Sequence, residues 1–353
     1  MAEMMVAVRK VRSEPGFVLE EIPIPQIAPD EVLVSIEAAS VCGSDLSIWK
    51  WKGWSSKRVR PPLTVGHEMA GRVVEVGQEV RDVFVDDYVS AESHVTCGIC
   101  KACRTGQAHT CARTKILGVD RDGVFAEYAA IPQKVVWKND RSKMSPEIAT
   151  IQEPFGNAVF AAMEYDLRGA EVAVLGCGPI GLFTIGIARA SGAANILATD
   201  VNQSRLQVAR TMGADKVFNP TKSSQNTAIW LKESNEGEGP DFVFEVSGAS
   251  AALDAALKGV RSGGCVTLIG IPSVSTEIDV ANDLIFKNIK LHALNGRRIF
   301  DSWHRTQWLL ESGAVDVSPL ITHKLRLDEI DRAMGLIEGG QACKIVLYPK
   351  LSR

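Results

Sequence analysis

Apolar and polar residues alternate along the first part of the chain in the manner of half-buried β-strands. In segment 31–37, Val32, Val34 and Ile36 occupy every second position, and segment 70–76 also combines apolar and polar residues in a short run. Because a strand turns successive side chains to opposite faces, both segments are predicted to be strands. Glycine and proline separate such segments at short spacing, so residues 1–160 are predicted to be mainly β.

The pattern changes near residue 160. Helical stretches at 179–190 and 204–212 now lie between short apolar segments, which are predicted strands at 171–175, 195–200, 216–218, 242–244 and 266–269. This alternation predicts a doubly wound α/β fold, with a parallel sheet covered by helices on both faces. After about residue 295 short strands and helices no longer alternate. Two helical stretches at 301–312 and 328–338 precede a last predicted strand at 344–348.

Composition and charge narrow the classes of function. The chain has 353 residues, which favours two domains, and a net charge of -3 from 39 basic and 42 acidic residues. A small negative net charge argues against a strongly basic surface of the kind that binds nucleic acid or an anionic membrane. The uncharged run 172–188 is interrupted by glycines, which indicates a strand, turn and helix rather than a membrane span. We expect a small-molecule substrate, no nucleic-acid or membrane partner and a cytoplasmic location.

A glycine turn at 176–181, Gly-Cys-Gly-Pro-Ile-Gly, follows the first strand of the α/β region and opens a helix. Asp200 ends the next predicted strand, which is the context that a dinucleotide-binding turn requires. Gly178 would let the backbone approach a pyrophosphate at the helix N-terminus. The carboxylate of Asp200 would accept hydrogen bonds from the ribose and repel a 2′-phosphate, which favours NAD over NADP. A purely structural glycine turn is the alternative.

Four cysteines crowd one short segment: Cys97, Cys100, Cys103 and Cys111 lie within 15 residues. Four thiolates at this spacing are typical of a closed tetrahedral zinc site, whose role is structural because it has no open position. A disulfide pair is the first alternative, although it is rare in reducing compartments. An iron–sulfur cluster is the second, although the spacing differs from the bacterial pattern.

A second set of possible metal ligands is dispersed along the chain: Cys42, His67, Glu68 and Glu153. Thiolate, imidazole and carboxylate suit Zn²⁺, and a catalytic zinc site keeps one position for water or substrate. Because these residues are far apart in sequence, spacing alone leaves open that His67 is an ordinary packed or surface histidine.

At these residues the whole chain resembles the zinc-dependent medium-chain dehydrogenase/reductase family. The motif Gly66-His67-Glu68, with glycines at 71 and 77 and Val80, is similar to the family's zinc signature, and the cysteine segment and glycine turn follow in the family's order. The resemblance implies a mostly β, barrel-like (GroES-like) catalytic domain formed by 1–160 and 295–353. A Rossmann-type NAD-binding domain, 161–294, would be inserted into it.

The resemblance also implies an activity, the oxidation of a secondary alcohol to a ketone. Zinc would lower the pKa of the substrate hydroxyl and NAD would accept the hydride. Two Zn²⁺ per chain are implied, a catalytic ion on Cys42, His67, Glu68 and Glu153 and a structural ion on the four clustered cysteines. Relatives of this kind imply a homo-oligomer, usually a tetramer. The cofactor-binding residues would be Gly176, Gly178, Pro179, Ile180, Gly181, Asp200, Arg205, Gly270 and Arg297.

Several segments are most similar to the threonine-oxidising members of the family, among them 93–98, 152–158, 199–202 and 319–323. They imply oxidation of L-threonine to 2-amino-3-oxobutanoate. Polyol, sugar-acid and vicinal-diol dehydrogenases share the zinc and NAD motifs and remain alternatives. A non-enzymatic scaffold with a zinc ribbon is the third hypothesis.

The residues that would carry the substrate proton to solvent differ between this chain and the threonine-oxidising members. They typically read Cys-Gly-Thr-Asp-x-His, whereas this chain reads Cys42-Gly-Ser44-Asp45-Leu46-Ser47. Ser44 keeps a hydroxyl, but the imidazole is absent at Ser47. A relay needs a group that titrates near neutral pH or a chain of waters. We therefore expect Ser44 and His94 to carry the proton, with a structural hydrogen bond as the alternative role of His94.

Overall fold

The computed structural model describes residues 3–234 and 236–349, and contacts within the chain divide it into two compact units. Unit 1 contains the described residues of 1–154, 298–303 and 321–353, and unit 2 contains those of 155–297 and 304–320. The predicted domain limits, 1–160 with 295–353 and 161–294, stay a prediction. The part of the chain described here contains no helix long and apolar enough to cross a membrane.

The strands are numbered in chain order. They are β1 (Met4–Lys10), β2 (Val18–Pro23), β3 (Glu31–Ser40), β4 (Leu63–Thr64), β5 (Glu68–Val76), β6 (Tyr88–Ala91), β7 (His94–Val95), β8 (Lys115–Ile116), β9 (Tyr128–Pro132), β10 (Val136–Lys138), β11 (Glu171–Leu175), β12 (Asn195–Thr199), β13 (Lys216–Phe218), β14 (Phe242–Glu245), β15 (Cys265–Leu268), β16 (Lys290–Ala293), β17 (Ile321–Arg326) and β18 (Lys344–Tyr348).

The helices are numbered in the same way. They are α1 (Gly43–Lys50), α2 (Trp54–Arg58), α3 (Lys101–Arg104), α4 (Pro146–Ala149), α5 (Gln152–Ala162), α6 (Pro179–Ala190), α7 (Gln203–Thr211), α8 (Thr227–Glu233), α9 (Ser250–Gly259), α10 (Asp301–Glu311) and α11 (Ile330–Glu338). Shorter helical turns lie at Ala108–Thr110, Gln133–Val135, Val280–Ile285, Ser318–Leu320 and Leu327–Glu329.

Unit 1 is built on a mostly antiparallel sheet. Its strand order is β10-β6-β5-β3-β18-β17, and β9 adds to β3. Among the strand pairs of this sheet formed by described residues, only β17–β18 runs parallel. A smaller sheet, β2-β1-β4, lies alongside, and buried aliphatic residues of β3, β5 and β18 fill one continuous core. The mainly β character predicted for the first part of the chain is thus confirmed.

Unit 2 contains a parallel sheet of order β13-β12-β11-β14-β15-β16. The order reverses at β11, which is the first strand of the unit, so the carboxyl ends of β11 and β14 flank the switch point where α/β sheets bind ligands. The predicted doubly wound, Rossmann-type fold is confirmed, and α6 begins at Pro179, inside the glycine turn. Strand β16 was not predicted from the sequence, because its residues are mostly exposed and form no apolar pattern.

Candidate zinc centres and cofactor cavity

The four clustered cysteines converge on one point in unit 1. The Sγ atoms of neighbouring pairs lie 3.5–4.0 Å apart. A tetrahedron with Zn–S bonds of about 2.3 Å has edges of about 3.8 Å, so the sulfurs match a single zinc ion. A disulfide bond of about 2.05 Å is far shorter than any of these separations, and all four thiols are free.

Backbone amides favour the thiolate form in this cluster. The N–H groups of Ile99 and Cys100 help to lower the pKa of Cys97 to about 6, against an opposing effect of desolvation. Desolvation and neighbouring thiols raise the pKa of Cys103 to about 11. A zinc ion takes thiolates as ligands, so a partly ionised cluster is ready to receive one.

The second cluster is assembled by strand register. In the unit 1 sheet Ser40, the last residue of β3, pairs with Glu68 of β5 on one side and with Val346 of β18 on the other. Cys42 follows β3 by two residues and His67 immediately precedes β5. Ligand atoms of Cys42, His67 and Glu68 therefore lie within 4.8 Å of one another.

Asp45 supports this cluster from helix α1. One carboxylate oxygen accepts a hydrogen bond from the backbone N–H of Cys42 at 2.9 Å, and the other lies 3.6 Å from Nδ1 of His67. Burial alone lowers the pKa of His67, but the negative charges of Asp45, Cys42 and Glu153 outweigh it and hold the pKa well above its usual value. The surroundings of His67 are thus suited to a cation.

The two carboxylate oxygens of Glu68 have different surroundings. Oε2 accepts hydrogen bonds from Ser40 Oγ and Lys344 Nζ, and Lys344 also donates to the carbonyl of Val41 at 3.0 Å. Oε1 is buried and finds no hydrogen-bond partner among the described residues. A buried oxygen of this kind is costly unless something binds it. The residues therefore fit a zinc ion on the Oε1 side.

Glu153, the other proposed ligand, is the second residue of helix α5 and is buried in unit 1. Its carboxylate accepts a hydrogen bond from Ser93 Oγ at 2.5 Å. Its carboxylate lies within 4.8 Å of ligand atoms of His94 and Glu92, a third group of potential ligands. The structure therefore gathers Cys42, His67 and Glu68 in one group and places Glu153 in the neighbouring one.

The two hydroxyls of the expected proton path differ in their surroundings. Ser44 Oγ, in the first turn of α1, is buried and has no hydrogen-bond partner within the described part of the chain. Ser47 Oγ donates a long hydrogen bond of 3.5 Å to the carbonyl of Gly43. Ser44 therefore offers a hydroxyl that a substrate could engage.

The glycine turn in unit 2 needs its glycines for defined reasons. Gly176 has φ 105°, a conformation that side chains disfavour. A Cβ on Gly181 would overlap the carbonyl oxygen of Gly176. A Cβ on Gly178, in contrast, would meet no described atom within 4 Å and would fill open space. Pro179 occupies the first helical position, so Gly178 and Ile180 lie at the N-terminus of α6, where backbone N–H groups favour anions.

A cavity of about 370 Å³ opens beside this turn, and Gly176, Gly178, Asp200 and Arg205 all line it. Asp200 is anchored because its two carboxylate oxygens accept the backbone N–H groups of Cys177 and Asn202, each at 2.7 Å. The open face of Gly178 and the fixed carboxylate fit the phosphate and ribose of a dinucleotide. The structure brings these four predicted residues together.

Gly270 and Arg297 lie elsewhere in unit 2. Gly270 follows β15, and a Cβ there would overlap the backbone nitrogen of Gly248, so close backbone approach requires glycine. Arg297 is buried, packs on Gly156 and donates a hydrogen bond to Asn157 at 3.0 Å. These contacts support the start of α5, while direct contact of Arg297 with a cofactor stays a prediction.

Comparison with known proteins identifies the family. Residues 28–141 match the model of the alcohol dehydrogenase GroES-like domain, and residues 179–312 match that of zinc-binding dehydrogenases. The chain is 46% identical over 352 residues to L-threonine 3-dehydrogenase of Symbiobacterium thermophilum, covering 99% of both chains. The chain belongs to the zinc-dependent medium-chain dehydrogenase/reductase family. The enzyme of that name from Pyrococcus furiosus is 42% identical, with 99% of this chain and 100% of that one covered.

Solved structures agree with this assignment. The crystal structure of 2R,3R-butanediol dehydrogenase from Bacillus subtilis has a TM-score of 0.88 at 28% identity, covering 98% of this chain and 100% of that one. An alcohol dehydrogenase from a Thermus species has a TM-score of 0.88 at 30% identity, covering 98% and 99%. As a medium-chain dehydrogenase, the chain is an oxidoreductase that acts on alcohols with zinc and a nicotinamide cofactor.

Three residues at the site escaped the sequence analysis as functional groups: Glu92, Lys344 and Asp45. Glu92 and Asp45 have no exposed surface, and Lys344 is also buried. Asp45 could have been found from its position three residues after Cys42, which is typical of a carboxylate that caps the first turn of a helix.

Proposed function

We propose that this medium-chain dehydrogenase oxidises L-threonine to 2-amino-3-oxobutanoate with NAD⁺. Hydride leaves the hydroxyl-bearing carbon for the nicotinamide, and the hydroxyl proton leaves through the protein. The observation that carries the proposal is the cluster of Cys42, His67 and Glu68 in a chain that is 40–46% identical to proteins named L-threonine 3-dehydrogenase. Zinc supplies a Lewis acid at this cluster that makes the hydroxyl more acidic.

Each protein group at the cluster has a separate task. Cys42, His67 and Glu68 would hold the metal, and Glu153, from the neighbouring group, would serve as a fourth ligand. Asp45 orients the imidazole of His67, in the way that carboxylates generally fix metal-bound histidines. Two negatively charged ligands would neutralise Zn²⁺, and additional carboxylates would weaken its attraction for a substrate oxygen. The pairing of Glu68 with Lys344 offsets one of those charges.

For the cofactor we propose NAD, bound at the glycine turn. The N-terminal N–H groups of α6, with Gly176, Gly178, Pro179, Ile180 and Gly181 shaping the approach, receive the pyrophosphate. Asp200 accepts hydrogen bonds from the adenosine ribose and repels a 2′-phosphate. Arg205 lines the same cavity, and Gly270 and Arg297 complete the proposed cofactor set.

Ser44 and His94 are the proposed proton carriers. The buried hydroxyl of Ser44 receives the proton from the substrate hydroxyl, and His94 passes a proton outward in place of the imidazole that is missing at Ser47. Substituting His94 with asparagine should lower kcat by about 10²–10⁴ if His94 acts as general base. An unchanged kcat and an unchanged pH–rate profile would leave His94 with a structural role.

The second zinc ion is proposed to be structural and to lie on Cys97, Cys100, Cys103 and Cys111. Four free thiols persist in a reducing compartment, so we also propose a cytoplasmic location. Metal analysis should give two zinc ions per chain.

We propose a homotetramer, in which β16 contributes to one interface. This strand lies at the edge of the unit 2 sheet, and Ile271, Ile285 and Phe286, in the segments around it, expose large apolar side chains. Exposed sheet edges bordered by apolar residues tend to be covered. A two-fold pairing of β16 accounts for a dimer, and a tetramer needs a second interface. Sedimentation equilibrium should give the mass of four chains, and a monomer would contradict the proposal.

Oxidation of a vicinal diol, polyol or sugar acid is the second candidate. Ser47, in place of the usual histidine, changes the polarity near the metal cluster, and a butanediol dehydrogenase shares the fold. The deciding experiment measures NADH formation with NAD⁺ and L-threonine, 2,3-butanediol, sorbitol or a sugar acid. We expect kcat/KM for L-threonine to exceed the others by at least tenfold, about 1.4 kcal/mol. A diol or polyol that outperforms threonine would overturn the assignment.

A further inference from the structure

Glu92 is a buried carboxylate to which the proposed reaction gives no task. It lies in unit 1 between β6 and β7, has no exposed surface, and is surrounded by hydrogen-bond donors. Oε1 accepts the backbone N–H of His94 at 2.8 Å and lies 2.9 Å from Nδ1 of the same residue. Oε2 accepts the indole N–H of Trp303 at 2.7 Å.

These contacts determine which nitrogen of His94 carries a proton. A carboxylate only accepts hydrogen bonds, so we assign a proton to the Nδ1 atom that faces Oε1. Ser93 Oγ lies 3.2 Å from the same nitrogen and donates its own proton to Glu153, so it can accept from Nδ1 as well. In the neutral imidazole the other nitrogen, Nε2, is then the basic one. Any proton that His94 exchanges with a substrate or with Ser44 must therefore pass through Nε2.

Glu92 is itself held in place from its other side. Trp303 is buried, and its ring lies 5.5 Å from that of Trp137, which also stacks on Phe300 at 5.8 Å. This aromatic group fixes the indole N–H that binds Oε2. The indole thus adds one hydrogen bond on Oε2 to the two contacts with His94 that already hold Oε1 of the carboxylate.

We propose that Glu92 is a positioning residue for His94, which fixes the Nδ1–H tautomer and directs Nε2 toward the reaction. The inference rests on the proposed function, because it gives His94 a role in proton transfer. Glu92 need not contact the substrate. Its carboxylate acts through the imidazole, as carboxylates do for histidines in other catalytic and metal sites.

A double-mutant cycle tests the coupling. Glu92→Gln keeps the size of the side chain but offers an amide that can donate as well as accept, so the tautomer is no longer fixed. We expect a loss of about 10–100-fold in kcat/KM with the KM for NAD⁺ unchanged. In a His94→Asn background the same substitution should cost less than about threefold, since coupled residues are not additive. Losses that simply multiply would overturn the proposal.

Trp303→Phe is the matched control. It removes the donor to Oε2 but keeps an aromatic ring and leaves the contact between Oε1 and His94. We expect a lower melting temperature and a loss of less than about threefold in kcat/KM, the size of one net hydrogen bond. A loss as large as that of Glu92→Gln would place the effect in packing and contradict the proposal.

Histidine NMR identifies the tautomer of His94 without a measurement of enzyme activity. The chain has six histidines, so ¹⁵N-labelled protein gives few ring signals, and His94→Asn assigns one by its disappearance. The zinc-loaded wild-type protein should show the Nδ1–H tautomer at His94, and an Nε2–H tautomer would overturn the inference even if Glu92→Gln and Trp303→Phe do not fold. If no alcohol yields NADH, the proposed function fails, whereas this measurement still tests the position of the proton.

Discussion

Replacing Lys344 with methionine should expose how Glu68 is stabilised. The Lys344 side chain is only 2% exposed and that of Glu68 has no exposed surface, and they form an ion pair at the point where β18 and β5 flank β3. Methionine retains most of the volume of lysine but removes the charge. The substitution therefore leaves the Glu68 carboxylate with Ser40 as its remaining partner on Oε2.

The expected cost follows from this burial. Breaking a buried ion pair by removing one partner typically costs about 3–5 kcal/mol, because the other charge stays behind uncompensated. In metal-free protein we expect Lys344→Met to lower the free energy of unfolding by that amount. With zinc bound, the metal compensates the charge of Glu68, and the loss should fall to less than half.

Urea unfolding followed by circular dichroism, with chelator and with zinc, measures both losses. Lys324→Met is the matched control, because Lys324 lies on the neighbouring strand β17 and pairs with Glu147 at 2.7 Å while its side chain is 58% exposed. It should cost about 1 kcal/mol or less in both conditions. If Lys344→Met does not fold without metal, adding Glu68→Gln should restore folding. Equal losses for Lys344→Met with and without zinc would refute the reasoning that Glu68 faces the metal.

Three further predictions address the remaining sites. Asp200→Gly should lower the preference for NAD over NADP by roughly tenfold or more in kcat/KM, since it removes the charge that repels the 2′-phosphate; an unchanged ratio would contradict this. Cys100→Ser should remove one of two zinc ions and lower the melting temperature, and protein that keeps both ions by mass spectrometry would show that the cluster is misassigned. Burial opposes the ionised form of Glu147, but hydrogen bonds from Lys324 and Tyr348 outweigh it and lower its pKa to about 2. This stabilisation is present above pH 4.5 and is lost as the pH falls toward 2, so the destabilisation caused by Glu147→Gln should shrink over that range, and a constant difference would refute it.

The glycine turn at 176–181 and its position beside Asp200 could be predicted from sequence because the pattern is local, while its binding of a cofactor stays a prediction. A strand, the glycines of 176–181, a helix and Asp200 follow one another within about 30 residues. Each glycine of such a turn is required for a known steric reason, either a tight turn or a close approach of the backbone. The four cysteines were predictable for the same reason. Thiolates close in sequence can meet at one ion without any knowledge of the tertiary structure.

The metal cluster and its supports depend on contacts between distant residues. Cys42 and His67 meet because Ser40 pairs with Glu68, and a register of this kind is not encoded in the spacing of the two residues. Lys344 lies 276 residues from Glu68, so its burial as a charged partner could not be foreseen. In the sequence, nothing distinguishes Glu92 from an exposed glutamate. Its burial is evident only from the structure, in which the indole of the distant residue Trp303 donates to its carboxylate.

Isotope transfer shows whether hydride passes from L-threonine to the nicotinamide. L-Threonine carrying deuterium at its hydroxyl-bearing carbon is incubated with NAD⁺ and the zinc-loaded enzyme, and mass spectrometry of the reduced cofactor follows. We expect one deuterium to appear in the nicotinamide ring. Cys42→Ser should abolish the transfer while its circular dichroism spectrum stays that of the wild-type protein. Reduced cofactor without deuterium, or no reduction with L-threonine under conditions where another alcohol reduces NAD⁺, would contradict the proposed function.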